Sequence, residues 1–404
     1  MSYHDEKSRS LSYARHDTLE GLLQRGRGLG TERARCDPGA AAPFVYDGIR
    51  RDWKWDSSDG RYLYQARLVR DLKLSPTPVV EQLAGDEEEC SRAALVLELI
   101  ALDGSDEARE GIRAYIRVGK HWVAVLQSVA DGWPTDWWED LGDVARARIG
   151  EEEDLPWSAE PWGRFGIEVP GRTYRPRPSL GGLSDDELLA LLAADGTEFN
   201  TKVDALRSLA GREPAEGLIA LVPSLGTRDG SRSLPWLRRA VDRLGALAVP
   251  AARGWAVDGR EWLARLGADV LADHPGPEAL PGLVAELTEQ WKASTWCGPD
   301  TTAKTLARFG PEAADAVPVL WRFWRHTPHS YERADYLKAL AAIDPSGLDD
   351  AYTESLWDCE ERARLLAIVS APHHPQTLDR IALLRDDPME TPEVRTAAEA
   401  RLAR

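Results

Sequence analysis

Apolar residues recur along this chain at helical spacing. Leu95, Val96, Leu97, Leu99 and Ile100 share one run that stops at Asp103-Gly104. Ser105, followed by Asp106 and Glu107, then reads as an N-cap with an acidic first turn. The next stretch sets Ile112, Tyr115 and Ile116 on one face. After Gly119 the segment KHWVAVLQSVADG repeats the pattern, and TDWWEDLGDVARARIG follows Trp133-Pro134. No run alternates apolar and polar residues between hairpin turns, so strand signals are scarce. Short helices joined by a few residues of Gly, Pro and Asp are what antiparallel helical hairpins require. Glycine closes a helix in the left-handed conformation. Proline opens the next at a position where its missing N–H costs nothing. The pattern predicts an all-α protein.

The turns are periodic. Gly276-Pro277-Glu278-Ala279 recurs as Gly310-Pro311-Glu312-Ala313, 34 residues on, and Asp344-Pro345 stands a further 34 along. Upstream, Gly211 and Gly245 are also 34 apart. Gly245 to Gly276 spans 31, and a near-constant period of this size is the mark of repeated helix pairs. A helix ending Leu-Ala-x-x-Gly-Pro-Glu-Ala and followed by Val-Pro-x-Leu, best seen in TTAKTLARFGPEAADAVPVLWRFWR (301–325), resembles a bacterial HEAT-like repeat. The resemblance is good over 184–404 and fair over 60–150. It implies an α-solenoid of stacked antiparallel helix pairs, and a function in binding other macromolecules through a concave face.

The expected organisation is a flexible N-terminus (1–15), an irregular helical lobe (16–150), a Pro/Gly-rich connector (151–183) and a regular repeat array (184–404). The connector holds five prolines and five glycines, together with Trp157, Trp162 and Phe165. The glycine-rich GLLQRGRGLGTER (21–33) follows a helix and carries no phosphate-loop Lys-Ser/Thr pair, so it reads as a flexible loop.

Composition narrows the function. The net charge is −17, and residues 81–160 alone carry 20 acidic against seven basic side chains. Such a surface repels nucleic acid and suits a basic protein or peptide partner, an immunity-type inhibitor of a basic toxin being one form. No apolar stretch approaches a membrane span, and the polar N-terminus lacks a signal-peptide core, so a cytoplasmic protein is expected. Only eight of the 50 basic residues are lysine, a bias typical of high-GC bacterial genomes of the actinobacterial kind. Cys36, Cys90, Cys297 and Cys359 are scattered without a CxxC pair and read as reduced core residues. The pairs His326/His329 and His373/His374 lack companions at ligand spacing. Neither a metal nor a cofactor is expected.

Sixteen tryptophans stand out. Trp321 and Trp324 continue the apolar stripe of Val317 and Leu320 and read as packing residues. Trp53 and Trp55 lie among charges of both signs in RRDWKWDSSDGRYLY. Arg51, Trp53, Trp55, Asp56 and Tyr62, with Trp137, therefore form the candidate ligand-binding set: rings stack, guanidinium groups clamp anions and carboxylates pair with bases. The same parts suit an alternative, a helical-repeat glycosylase of the DNA-alkylation-repeat type, with Trp53 holding a base, Asp56 stabilising the sugar cation and Arg51 on phosphate. Against it stand the acidic charge and the lack of basic runs on successive repeats.

Overall fold

The computed structural model describes residues 13–51, 53, 61–151, 160–167 and 180–403. Among these residues the regular secondary structure is all helical, apart from an isolated antiparallel bridge between Gly226 and Ser233. In chain order the α-helices are α1 Leu19–Gln24, α2 Gly28–Cys36, α3 Pro38–Arg50, α4 Tyr62–Asp71, α5 Thr77–Gln82, α6 Glu87–Leu102, α7 Asp106–Val118, α8 Trp122–Gly132 and α9 Gly142–Arg148. Then come α10 Asp185–Ala193, α11 Phe199–Ala210, α12 Leu218–Leu221, α13 Leu237–Leu244, α14 Val249–Trp255, α15 Glu261–Asp273 and α16 Leu280–Lys292. The last are α17 Pro299–Ala307, α18 Val317–His326, α19 Arg333–Ile343, α20 Asp349–Ser355, α21 Glu361–Ser370, α22 Pro375–Asp386 and α23 Pro392–Leu402. No described helix is long and apolar enough to cross a membrane.

Local chemistry starts and stops these helices. Ser105 caps α7 by accepting from the Ala108 N–H at 3.2 Å, and Asp86 caps α6 from the Glu89 N–H at 2.9 Å. Ser184 and Glu187 form a reciprocal capping box on α10. The periodic turns fall between helices: Gly211 follows α11, Gly245 follows α13, and Asp344-Pro345 follows α19. Gly245 and Gly310 have φ of +56° and +57°, which a side chain would oppose.

The chain divides into two compact units. The smaller, Tyr174–Leu283, has an apolar core supplied by α10 to α15, including Leu188, Leu206, Val222, Leu237, Val241 and Leu263. Within it, α11 packs on α10 and α13, and α14 on α15. Each helix therefore meets a near neighbour in sequence.

The larger unit joins residues 1–173 to 284–404. Its N-terminal core runs from α1 through α9 and takes in Trp162 and Phe165, so the described part of the connector is packed rather than loose. Trp162 meets Trp122 edge-on at 5.8 Å, and Phe165 meets Trp138 likewise at 5.8 Å. The division departs from the linear reading, which kept 184–404 together as one array. The physical reason is a set of charged side chains linking segments about three hundred residues apart. Arg67 on α4 pairs with Asp387 at 3.0 Å and Glu390 at 2.5 Å. Arg70 forks onto Asp387 at 2.8 and 3.1 Å. Glu390 also takes both arms of Arg364, at 2.8 and 2.9 Å. Burial alone would push the Asp387 and Glu390 carboxyls up. The adjacent guanidinium groups outweigh it and hold both below the usual carboxylate range.

Candidate functional site

The segment expected as a loose loop, residues 21–33, is the structural centre of the larger unit. Residues 21–28 are all buried, and both ends of the segment are helical. The glycines explain why. Gly26 has φ of +64°, and a Cβ there would lie 2.3 Å from the Cys359 sulfur. A Cβ on Gly28 would lie 1.9 Å from the carbonyl oxygen of Glu354. Only glycine lets the start of α2 lie backbone-to-backbone against α20.

This close approach delivers two arginines to the C-terminal end of α18. Arg27 donates to the Arg325 carbonyl at 2.8 Å, and Arg25 donates to the His326 carbonyl at 3.1 Å. These carbonyls have no partner within their own helix, and a cation at that end also meets the negative pole of the helix dipole. Arg27 forks onto Glu354 at 2.6 and 2.7 Å, with its guanidinium 4.3 Å from the Trp324 ring centre. Arg333, fully buried, forks onto Asp358 at 2.7 and 2.8 Å and reaches the Arg25 carbonyl at 2.9 Å. Among the described residues Arg25 meets three carbonyls and no carboxylate, and burial lowers it to about 10.

Two clefts open on either side of this contact. The first, of about 530 Å³, is walled by His16, Arg27, Arg33, Trp321, Trp324 and Arg325. The second, of about 780 Å³, is walled by Arg35, Trp357, Thr377, Arg380 and Leu383 with the carboxylates of Glu32 and Asp379. Leu29, Asp350 and Glu354 line both, so the two share a wall. Each holds tryptophan rings faced by guanidinium groups: Arg325 lies 5.2 Å from Trp321, while Arg35 and Arg380 lie 4.6 and 3.3 Å from Trp357. Such rings offer flat contact area at low entropic cost, and the guanidinium groups offer directional donors.

His16, which lines the first cleft, lies against His326 with ring centres 3.7 Å apart and planes tilted by 34°. Burial, followed by His16 and the charges of Arg25, Arg27 and Arg325, drives His326 down to about 4. Burial lowers His16 as well, against the pull of Asp17. Both rings are therefore neutral near pH 7 and act as flat, weakly polar surfaces.

The candidate residues read from sequence lie elsewhere. Trp53 is 6% exposed and packs edge-on against Tyr13 at 5.3 Å, while its carbonyl accepts from the Tyr13 hydroxyl. It presents no open ring face. Trp55 and Asp56 lie outside the described residues. Arg51 is exposed and paired with Asp47 at 2.9 Å, and Tyr62 is an exposed side chain at the start of α4. Trp137 belongs to a separate group, edge-on to Trp133 at 5.6 Å with the Arg109 guanidinium 4.9 Å from its ring. Cys36 and Cys297 are exposed rather than in the core, and Cys90 and Cys359 are buried as expected. The cleft residues Arg27, Trp357 and Arg380, and Arg25 beside them, escaped the sequence reading. The one sequence signal for them was Arg25-Gly26-Arg27-Gly28, since glycines that dense inside helical spacing mark a close backbone approach.

No family model matches the chain, and neither does any curated protein. Among solved structures, the crystal structure of an engineered protein from a structural-genomics programme aligns over 100% of this chain and 98% of its own, at 16% identity and a TM-score of 0.24.

Proposed function

We propose that the protein is a binding module that holds a peptide, or a segment of a protein, along the paired clefts of its larger unit. The observation that carries this reading is the shared wall. Each cleft alone has the volume of a small-molecule site, roughly 300–1,000 Å³. Two such clefts meeting at Leu29, Asp350 and Glu354 extend past what one small ligand fills. Stacked tryptophan and arginine on both sides of the wall are the residue types that dominate binding energy at protein contacts. The acidic excess of residues 81–160 favours a basic partner and would speed its encounter. Helices that pack on their near neighbours in sequence, such as α6 on α7 and α7 on α8, fit a HEAT-like frame around these clefts.

The test is selection of a displayed random peptide library on the full chain, followed by hydrogen exchange with the selected peptides bound. Protection is expected over 28–36 and 349–357, and Trp321→Ala or Trp357→Ala should weaken binding at least tenfold. Protection confined to other segments overturns this reading.

A further inference from the structure

Arg380 in the larger unit is a buried guanidinium with no carboxylate at ion-pair distance among the described residues. Arg27, Arg67, Arg333 and Arg364, all buried, each pair with a carboxylate within 3.0 Å. Arg380 is 8% exposed and differs from them. Its Nε donates to the Leu356 carbonyl at 3.3 Å, and its plane stacks on Trp357. Among the described residues its two terminal nitrogens meet neither a hydrogen-bond acceptor nor a carboxylate. They also retain access to the second cleft, which Arg380 lines. Burial and the nearby charge of Arg67 bring Arg380 down to about 9, with the more distant charges of Asp71, Asp387 and Glu390 opposing the fall, so it remains a cation at neutral pH. A desolvated, unpaired cation is costly and is relieved by an anion in the space it faces.

The surroundings are shaped for a small anion. Arg380 lies in the first half of α22, a 12-residue helix whose N-terminus carries no side-chain cap. The unpaired N–H groups of that first turn belong to Gln376 and Thr377, and both residues line the same cleft. Arg35 adds a second guanidinium on Trp357. Yet Glu32, Asp350, Glu354 and Asp379 also line the cleft, so its walls carry more carboxylates than guanidinium groups. A doubly charged phosphate would be opposed by them. A singly charged carboxylate carried on a chain with a basic residue close behind it satisfies both sets. Leu383, 53% exposed, and the Trp357 ring give an apolar terminal side chain a place to rest.

We propose that the second cleft captures the free C-terminus of a partner chain. The terminal carboxylate sits between Arg380 and the N-terminus of α22, and a basic residue near the end faces Glu32, Asp350 and Asp379. This rests on the peptide-binding reading above and names the part of the peptide that is recognised.

The experiment uses the full chain and a fluorescein-labelled pool of heptapeptides ending in Lys-X-Leu, with X randomised, made with a free carboxylate and as the C-terminal amide. Fluorescence polarisation should show the acid binding at least ten times tighter than the amide. Arg380→Gln should erase that preference, Arg380→Lys should retain part of it, and Thr377→Val should narrow it, with melting curves confirming that each variant folds. Equal binding of acid and amide overturns C-terminal capture and leaves peptide binding standing. No binding of either form overturns both. Inorganic phosphate that displaces neither pool supports the proposal. Phosphate binding that needs Arg380 while acid and amide bind alike assigns the site to phosphate and overturns it.

Discussion

The two units bury charge in opposite ways. In the smaller unit no described polar or charged side chain is buried, and its ion pairs, such as Arg238–Asp269 at 2.8 Å, lie at the surface. In the larger unit Arg27, Arg67, Arg333 and Arg364 are all buried with their carboxylate partners at hand. The difference follows from what each unit has to join. Helices adjacent in sequence are held together by short connections, and an apolar seam suffices. Segments three hundred residues apart have no such tether. Apolar contacts do not fix register by direction, whereas a forked guanidinium–carboxylate pair does, because it is satisfied in one geometry.

Breaking one such fork should produce the largest effect. Arg333→Ala strands Asp358, 3% exposed, without a counter-ion. Removing one partner of a buried pair costs about 3–5 kcal/mol. Denaturant unfolding should register that loss, and native-state hydrogen exchange should place it in α19 and α1 while α14 and α15 keep their protection. The matching change in the smaller unit, Arg238→Ala, breaks a pair whose arginine is 60% exposed, and should move stability by less than about 1 kcal/mol. Equal losses in the two variants would remove the distinction between the units.

The same contrast decides what could be read from sequence. The helices of the smaller unit were legible, though not its boundary at 283, because they carry apolar residues at helical spacing and their turns carry Gly and Pro, both local signals. The cap at Ser105 was legible for the same reason. The joining of α2 to α20 was not. Arg27 and Glu354 lie 327 residues apart, and neither carries a local mark of its partner. Trp53 misled because charged neighbours in sequence suggested an exposed patch, whereas Tyr13 and the α3–α4 region cover it.

A pair of glycine substitutions sharpens the comparison at smaller cost. Gly28→Ala forces a Cβ against the Glu354 carbonyl and should separate α2 from α20. An expected loss of about 2 kcal/mol reflects overpacking against backbone that cannot rotate away. Gly254→Ala, on α14 of the smaller unit, meets no atom within 4 Å, and should stabilise by about 0.5–1 kcal/mol through helix propensity. Melting of the two variants side by side checks both signs.

A change that shows only as pH rises tests a buried carboxyl that no cation answers directly. Glu332 is fully buried. Its Oε2 accepts from the Thr327 hydroxyl at 2.9 Å and the Tyr336 hydroxyl at 2.8 Å, while Oε1 has no hydrogen-bond partner. Burial raises its pKa to about 7, with Asp300 adding to the rise and the two hydroxyls and Lys304 opposing it. A carboxyl whose pKa is higher folded than unfolded gives stability at low pH and loses it as pH climbs from about 4.5 through 7. Glu332→Gln removes that loss. The variant should match the parent near pH 4.5 and exceed it by up to about 2 kcal/mol at pH 8, since each pKa unit is worth roughly 1.4 kcal/mol before screening. His326 works in the other direction. Its pKa of about 4 makes the parent lose stability as pH falls from about 6.5 through 4. Glu98, which burial also raises to about 7, keeps its own loss over the same range. Glu332→Gln should therefore reduce the high-pH loss without abolishing it, and adding His326→Gln should lessen the low-pH loss while the Glu98 slope remains. A single-variant difference that is constant across that range would mean Glu332 is not the titrating group. Among the described residues no comparable pair is buried in the smaller unit, so hydrogen exchange in α14 and α15 should be indifferent to both variants across the same pH range.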